Sequence, residues 1–407
     1  MKRALVMSGG GGKGAYQFGV WKALRKLNIK FDIVTGTSIG ALNGALIVQN
    51  DYLSLWYLWN RVGFDTLFGY KMKNDIDSYY GKKETLKMYA EGILKEKGMN
   101  VARLERLAKR FIKEDEIRNS YLDYGIVTFN LSDFKPQILT KEKIPKGKLI
   151  DFIIASATCF PAFQMKEIDG KKYVDGGYYD NMPINLAIEM GADEIIAVDL
   201  RALGFMQKIK NKNVKITTIA PHNDLGSFLV FDKKISYRNV KYGYNDTMKK
   251  FNYLDGNKFT FKKGDLEKNY NHYIKTIKGN IFGNLVGDGK ICKLISSSNI
   301  YDVLNGTQND FNELIEFLGE IYELDDSKIY KTVDYNKLLK KTFSKEMSKS
   351  ISDGNELLDI KDGINDDINR KIISYFYNNN DLKNIITRRL AMIFSKQFVA
   401  ALYLRVI

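Results

Sequence analysis

Histidine and cysteine are both scarce in this chain of 407 residues. It has only two histidines, His222 and His272, and two cysteines, Cys159 and Cys292. Two cysteines cannot form a disulfide framework, and the sequence has no CxxC motif or Cys/His cluster, so we expect no metal site. Low cysteine content suits a reducing compartment, which predicts a cytoplasmic protein. A serine enzyme with a histidine base has two candidates here, and neither histidine stands in a recognisable motif.

Long apolar runs are also absent. No run approaches the roughly 20 residues of a transmembrane helix. The first run, Ala4–Met7, is too short for the core of a signal peptide and predicts a buried strand. The most apolar stretch, Leu390–Ile407, is interrupted by Ser395-Lys396-Gln397. We interpret this stretch as a terminal helix packed on the protein rather than as a membrane anchor.

Proline is missing from the C-terminal part of the chain, since all five prolines lie at or before position 221. This change in composition predicts two domains, residues 1–250 and a mainly α-helical region of unknown role at 251–407. In the first domain, short apolar runs alternate with helical periodicity. That pattern is typical of a three-layer α/β sandwich with a mostly parallel central sheet flanked by helices.

The periodicity also predicts individual elements. In the first domain it predicts strands at Ala4–Met7, Phe31–Val34, Leu122–Phe129, Tyr173–Val174 and Ile195–Asp199, and helices at Ala15–Leu27, Ile39–Gln49 and Leu149–Ala157. In the second it predicts helices at Asp310–Tyr322 and Tyr335–Ser350, and the polar segment Ile351–Asn369 is either a loop or a mobile element.

Positive charge is in excess. The formal net charge is +15, and the segment Arg201–Asn223 has five basic residues and no acidic one. Such a charge predicts attraction to an anionic surface, such as membrane lipid, nucleic acid or an acidic partner. A solvated, lysine-rich surface without a partner explains the same composition equally well.

A candidate nucleophile stands in the sequence Gly36-Thr37-Ser38-Ile39-Gly40. The Gly-x-Ser-x-Gly pattern is typical of the nucleophile elbow of acyl hydrolases, in which a serine occupies a sharp turn between a strand and a helix. Ser38 is therefore the candidate nucleophile, and the base that would activate it has to be found elsewhere.

A glycine run, Gly9-Gly10-Gly11-Gly12-Lys13-Gly14, follows the first predicted strand. It is not a Walker P-loop, because Met7 occupies the first glycine position and Gly14 replaces the hydroxyl residue that binds magnesium. It does match the dinucleotide pattern Gly-x-Gly-x-x-Gly, and Asp32 lies at about the expected distance. However, Asp32 begins the second predicted strand, whereas the ribose-binding acid belongs at the strand's carboxyl end.

A third interpretation of the glycine run is an oxyanion hole. Consecutive glycines let backbone N–H groups turn toward one point, and the dipole of the following helix favours negative charge there. Neighbouring parallel strands would bring this loop to the same sheet edge as Ser38.

A candidate base is Asp175, which ends a short predicted strand and precedes Gly176-Gly177. A buried aspartate there could accept the proton of Ser38 directly if burial raises its pKa toward neutrality. Taken alone, Asp-Gly-Gly is an ordinary turn sequence. Its value as evidence comes from its combination with the other two motifs.

Together the three blocks resemble those of patatin-like phospholipases. The blocks are residues 8–17, 36–43 and 175–177, and the resemblance extends over about residues 3–250. It implies a Ser–Asp dyad without histidine, with Ser38 as nucleophile, Asp175 as proton acceptor, and Gly10, Gly11 and Gly12 in the oxyanion loop. The motif glycines are Gly9, Gly14, Gly36, Gly40, Gly176 and Gly177. Lys13 stands where the family has Arg or Lys, and Gly12 replaces a more typical small or aliphatic residue.

The sequence therefore predicts a cytoplasmic lipid acyl hydrolase that cleaves phospholipid or lysophospholipid esters through an acyl-enzyme. We expect transient contact with a membrane surface, and no cofactor, metal or nucleic acid. Three alternatives stay open at this point: an acyltransferase on the same scaffold, a dinucleotide-dependent oxidoreductase, and a catalytically silent lipid-binding protein. Head-group preference and oligomeric state are not predicted.

Overall fold

A computed structural model gives the structure of the chain and describes residues 2–74, 78–277, 307–352, 365–379 and 384–407. The chain divides into two compact units, Met1–Lys250 and Phe251–Ile407. Cys292 and residues 353–364 of the predicted polar segment lie outside the described residues. Among the described residues, no helix is long and apolar enough to cross a membrane.

The first unit contains eight strands and ten α-helices among its described residues. The strands are β1 Arg3–Met7, β2 Ile33–Thr37, β3 Asp123–Asn130, β4 Lys135–Thr140, β5 Lys166–Ile168, β6 Lys171–Asp175, β7 Glu194–Val198 and β8 Lys215–Ile219. The helices are α1 Ala15–Lys26, α2 Ile39–Val48, α3 Tyr52–Arg61, α4 Phe64–Phe68, α5 Tyr79–Glu96, α6 Ala102–Phe111, α7 Glu114–Asn119, α8 Leu149–Ser156, α9 Ile184–Glu189 and α10 Lys233–Lys250.

These strands form one sheet in the order β5-β6-β3-β2-β1-β7-β8, with β4 also paired to β3. Strands β3, β2, β1, β7 and β8 run parallel to their neighbours in that series. Strands β4, β5 and β6 pair antiparallel. The predicted mostly parallel sheet is therefore confirmed, with an antiparallel margin beside β3 that short-range periodicity did not indicate.

Helices cover both faces of this sheet. Ala4 and Val6 of β1 pack in one buried cluster with Ile184 and Ala187 of α9. On the opposite face, helix α2 packs against β2 and β3, and the Tyr124 hydroxyl of β3 donates a hydrogen bond to a carbonyl of α2 over 2.6 Å. Because successive side chains of a strand point to opposite faces, α9 and α2 form separate layers on the two sides of the sheet. The predicted three-layer sandwich is confirmed.

The pairing register of β2 and β6 on β3 determines which residues of these strands lie next to each other. Strand β2 runs parallel to β3 and ends with Thr37 opposite Val127. Strand β6 runs the other way and ends with Asp175 opposite Thr128, the next residue of β3. Residues 125–130 of β3 also pair with β4. A strand has only two edges, so β2 and β6 share one edge of β3, and their carboxyl ends meet.

The second unit has six helices and three short strands among its described residues. They are β9 Leu254–Asp255, β10 Thr260–Lys262, α11 Asp265–Ile277, α12 Gln308–Ile321, β11 Ile329–Tyr330, α13 Thr332–Ser352, α14 Asp366–Asn378, α15 Ile385–Ile393 and α16 Ser395–Val406. Phe259, Phe261 and Tyr335 lie in its buried aromatic core. The strands are too short to leave a periodic pattern, which is why the sequence predicted helices alone.

The predicted single terminal helix is wrong, because the stretch from Leu390 onward belongs to two helices. Phe394 separates α15 from α16 with non-helical angles of φ −113° and ψ 50°. The polar residues Ser395-Lys396-Gln397 form the first turn of α16, where unpaired backbone N–H groups benefit from access to water. The remainder of α16 is largely buried, as Val399 and Leu404 illustrate.

Candidate active site

Ser38 occupies the single position between β2 and α2. Its backbone angles are φ 57° and ψ −125°, a region that non-glycine residues adopt only at a cost of about 1–3 kcal/mol. The flanking motif glycines make this turn possible: a Cβ on Gly36 would lie 2.3 Å from the carbonyl oxygen of Gly40. The turn is therefore the strained strand-to-helix elbow that places a nucleophilic serine at the end of a strand, and Ser38 is 9% exposed there.

Asp175 reaches the same point from the opposite direction. It is the last residue of β6, whose end meets the end of β2 along β3. Its backbone N–H donates to the carbonyl of Thr158 over 3.0 Å, and its Oδ1 accepts a hydrogen bond of 2.8 Å from the Gly177 N–H. Only 5% of the residue is exposed. The Asp-Gly-Gly turn thus holds a buried carboxylate at the elbow.

The environment of Asp175 changes its acidity. Burial raises the pKa of this carboxyl from 3.8 to about 6. Hydrogen bonding from the Ser38 side chain and from the Gly177 amide lowers the pKa and limits the rise. The group is therefore ionised near pH 7 but holds a proton more readily than an ordinary aspartate, which is the property a general base at that pH requires.

Ser156 anchors the elbow from helix α8. Its Oγ accepts a hydrogen bond of 2.9 Å from the Ser38 N–H and donates one of 2.7 Å to the carbonyl of Val127. The side chain is fully buried. It links the nucleophile's backbone to the residue of β3 opposite the end of β2. The sequence analysis gave Ser156 no role, although a serine in the apolar run Leu149–Ala157 signals a specific hydrogen-bonding task.

The loop after Asp175 connects the elbow to the glycine run. Thr37 Oγ1 donates to the carbonyl of Asp180 over 2.7 Å, and the Gly9 N–H donates to the carbonyl of Asn181 over 3.0 Å. Neither Asp180 nor Asn181 was assigned a task from the sequence. They hold the three motifs in a common frame.

The glycine run lies directly beside Ser38. A Cβ on Gly9 would be only 3.0 Å from the Cβ of Ser38. Gly11 has φ 53°, and residues Gly11–Gly14 form a 3-10 turn that leads into α1. The turn and the following helix therefore place backbone N–H groups next to the nucleophile, where they favour negative charge.

Gly12 differs from the other two predicted oxyanion glycines. Its N–H already donates to the carbonyl of Phe228 over 2.8 Å. Within the described part of the chain, the N–H groups of Gly10 and Gly11 have no such backbone partner. The candidate oxyanion donors are therefore narrowed to Gly10 and Gly11, while Gly12 fixes the turn.

An apolar cleft begins at the residue after the nucleophile. The empty space within it is about 620 Å³ when the part open to solvent is included. Helices α2, α3 and α6 supply most of its walls. The lining residues are Ile39, Leu42, Asn43, Leu46, Leu58, Trp59, Val62, Leu67, Leu104, Leu107, Ala108, Phe111, Ile112 and Phe231. The lining side chains are apolar apart from the Asn43 amide and the Trp59 indole, and these two groups are joined by a hydrogen bond of 3.0 Å.

The two histidines have other surroundings. His222 Nδ1 lies 3.0 Å from Oδ1 of Asp246, and this buried carboxylate also accepts from Tyr16 and pairs with Lys249. His272 is an exposed residue of α11. Burial raises the pKa of the Cys159 thiol to about 12, so it is not a competing nucleophile at neutral pH.

The position of Asp32 does not fit the dinucleotide interpretation of the glycine run. Asp32 precedes β2, and its Oδ2 accepts a hydrogen bond of 2.9 Å from the backbone N–H of Arg3, the first residue of β1. It therefore lies at the amino edge of the parallel strands, whereas the glycine run lies at the carboxyl edge. Across the part of the chain that the structure describes, no three His, Cys, Asp or Glu side chains are grouped to hold a metal ion.

The fold and site together define an α/β protein with a serine elbow backed by a buried carboxylate. Residues 5–188 match the family model described as patatin-like phospholipase. The chain thus carries a patatin-like phospholipase domain over this range, and the resemblance of the three sequence blocks is confirmed.

Curated relatives share this region. Lysophospholipase nte1 of Aspergillus terreus is 29% identical over 204 residues, which are 49% of this chain and 12% of that protein. Patatin-like phospholipase domain-containing protein 7 of Mus musculus is 28% identical over 201 residues, 48% of this chain and 13% of that protein. The chain therefore spans only a small part of the length of these relatives.

Among solved structures, VipD from Legionella pneumophila aligns with 100% of this chain and 91% of its own, at 13% identity and a TM-score of 0.36. That similarity is too distant to bear on function.

The raised pKa of Asp175 predicts a stability cost at neutral pH. Because the folded state binds this proton more tightly than the unfolded state, stability falls as pH rises from about 4 through about 6. The shift from 3.8 to about 6 corresponds to about 3 kcal/mol. Asp175→Asn removes the ionisation and preserves the shape. We expect the variant to gain up to about 3 kcal/mol over wild type between pH 4 and pH 8.

Urea unfolding of both proteins at the two pH values measures this gain. Other titrating groups cancel in the comparison. A stability difference between the two proteins that does not change with pH would contradict the raised pKa.

Proposed function

We propose that the protein is a serine acyl hydrolase that cleaves fatty-acyl esters of phospholipids or lysophospholipids. The observation that carries the proposal is the pairing of Ser38, on a strained elbow, with a buried carboxylate whose pKa is raised to about 6. The patatin-like phospholipase domain and the relatives named lysophospholipase support the lipid ester as substrate class.

In the first half-reaction, the Ser38 Oγ attacks the ester carbonyl while its proton passes to the carboxylate of Asp175. Negative charge develops on the carbonyl oxygen, where the N–H groups of Gly10 and Gly11 would donate to it. Each such donor lowers the barrier of acyl transfer by roughly 3 kcal/mol. The tetrahedral intermediate then collapses, the carbon–oxygen bond to the leaving alcohol breaks, and Asp175 protonates that alcohol. Ser38 is left as an acyl ester.

In the second half-reaction, water loses a proton to Asp175 and attacks the acyl ester. Collapse of the second intermediate releases the fatty acid, and the proton returns to the Ser38 Oγ. Asp175 thus serves alternately as base and acid, for which a pKa near the working pH is best suited. No step requires a histidine.

The apolar cleft favours a substrate with a long acyl chain. Ile39, one residue beyond the nucleophile, lies in its wall together with Leu107 and Phe111. Each buried methylene contributes about 0.8 kcal/mol to binding. A chain whose carbonyl is at Ser38 can therefore gain affinity from the cleft, whereas a short ester gains little.

The dyad is tested by hydrolysis of a lysophospholipid and of a short-chain nitrophenyl ester. We expect Ser38→Ala and Asp175→Asn each to lose activity by roughly a thousandfold or more, as removal of a nucleophile or its base does elsewhere. Wild-type kcat/KM should fall as pH drops through about 6, since protonated Asp175 accepts no proton.

Asp180 is the matched control for this experiment. Burial also raises its pKa to about 6, but its carboxylate accepts from the Met182 and Gln207 amides rather than from Ser38. The Asp180→Asn variant should retain the fall in kcat/KM near pH 6. The His222→Ala variant should hydrolyse both esters at almost the wild-type rate. Full activity in Asp175→Asn, or loss of activity in a well-folded His222→Ala variant, would refute the dyad.

The cleft is tested separately by Ala108→Phe. Ala108 is 5% exposed and lies in the wall of the cleft, so a larger side chain there shortens the available space. We expect kcat/KM for a long-chain ester to fall by roughly tenfold or more, since a few lost methylenes are worth over 1 kcal/mol. The rate on a two-carbon acyl ester should be almost unchanged. Equal losses on both substrates would show that the cleft does not hold the acyl chain.

A further inference from the structure

The loop between β7 and β8 borders both halves of the candidate site. The central part of this connection, residues 201–212, is named the 201–212 loop. Just before it, the Leu200 side chain packs so closely on the glycine run that a Cβ on Gly10 would lie 2.7 Å from its Cδ1. Within it, the Phe205 N–H donates to the carbonyl of Gly177 over 2.9 Å, and its carbonyl accepts from the Asn181 N–H over 2.6 Å. The backbone of the loop is therefore fixed beside the dyad.

Three large apolar side chains of this loop, by contrast, are exposed to solvent. Leu203 is 93% exposed, Phe205 68% and Met206 60%. Single exposed apolar residues are normal on a protein surface, but three large ones within four positions form an interaction patch. Since the hydrogen bonds above hold the loop in place, this exposure follows from an ordered conformation.

Positive charge immediately adjoins this patch. Lys208, Lys210 and Lys212 are all exposed, and no acidic residue occurs between positions 201 and 223. The Lys210 ammonium forms an exposed ion pair of 2.9 Å with Glu189, and such pairs contribute little to stability. Apolar side chains flanked by lysines are the combination that suits a lipid interface, where the former enter the acyl boundary and the latter contact anionic headgroups.

We propose that the 201–212 loop docks the protein on an anionic lipid bilayer, with Leu203, Phe205 and Met206 inserted and the three lysines on the headgroups. The inference rests on the proposed function, because docking at this loop brings ester-bearing lipid to the edge of the sheet that carries Ser38. An acidic protein partner would also attract the lysines, and the experiment separates it from the bilayer.

The test is co-sedimentation of the full chain with vesicles of equal parts phosphatidylcholine and phosphatidylglycerol. Ser38→Ala is present throughout so that the lipid stays intact. We expect Lys208→Gln/Lys210→Gln/Lys212→Gln to weaken binding by roughly tenfold to a hundredfold, since each lysine near such a surface contributes about 1 kcal/mol. Leu203→Ser/Met206→Ser should weaken it by roughly tenfold or more, through lost apolar burial. Pure phosphatidylcholine vesicles should bind wild type far less.

Matched controls lie at the opposite edge of the sheet. Tyr121 is 84% exposed and precedes β3 at the amino ends of the parallel strands. Lys26, Lys30 and Lys113 are exposed at that same edge, at the end of α1, before β2 and after α6. Tyr121→Ser and the triple Gln variant of these lysines should bind vesicles as wild type does. Thermal unfolding of every variant checks that exposed substitutions leave the fold intact.

The outcomes separate the two proposals. Loop variants that bind vesicles like the controls would overturn the docking inference, as would equal losses in loop and control variants, which would indicate a diffuse charge effect. Weak vesicle binding by wild type, with loop-dependent capture of a polyglutamate peptide, would assign the loop to an acidic protein instead. Loop-dependent vesicle binding in a protein that hydrolyses neither ester would support docking and refute the proposed function.

Discussion

The meeting of two strand ends along one edge of β3 is the constraint on which the candidate site depends. Strand β2 stops opposite Val127 and β6 stops opposite Thr128, so Ser38 and Asp175 are brought together although 137 positions separate them in the sequence. Because backbone hydrogen bonds fix both strands, the relative position of the two residues does not rely on a flexible loop. Ser156 adds a further link by bonding the Ser38 N–H and the Val127 carbonyl.

This arrangement lowers stability at two points. Ser38 holds a backbone conformation that costs about 1–3 kcal/mol, and Asp175 is ionised where burial opposes its charge. Both features are typical of functional sites, where surrounding structure maintains an unfavourable local state. The tight packing of the glycine run and the hydrogen-bonded loop from Gly177 to Asn181 supplies that support.

Much of the candidate site and of the sheet could be predicted from the sequence, and for identifiable reasons. The elbow and the Asp-Gly-Gly turn are contiguous motifs, so Ser38 and Asp175 could be named as partners before any geometry was known. The parallel strands β1, β2, β3 and β7 were visible because they are largely buried and read as apolar runs, whereas the partly exposed β8 was not predicted.

Other features depend on tertiary contacts that leave no local pattern. Ser156 stands out as a serine in an apolar run, but its partners, the Ser38 N–H and the Val127 carbonyl, can be named only once β2 and β3 lie beside α8. The occupied N–H of Gly12 depends on the carbonyl of Phe228, more than 200 positions away in the chain. The apolar cleft joins three helices, of which the sequence predicted only α2. Strands of two or three residues, such as β9 and β11, are likewise too short for periodicity to indicate.

The most direct test of the dyad is covalent labelling of the full chain with a fluorophosphonate, followed by mass analysis of its peptides. The account predicts one adduct, on Ser38, whose rate of formation falls as pH drops through about 6 and becomes very small in Asp175→Asn. Labelling of Asp175→Asn at the wild-type rate would contradict the account, and so would an adduct on any residue other than Ser38.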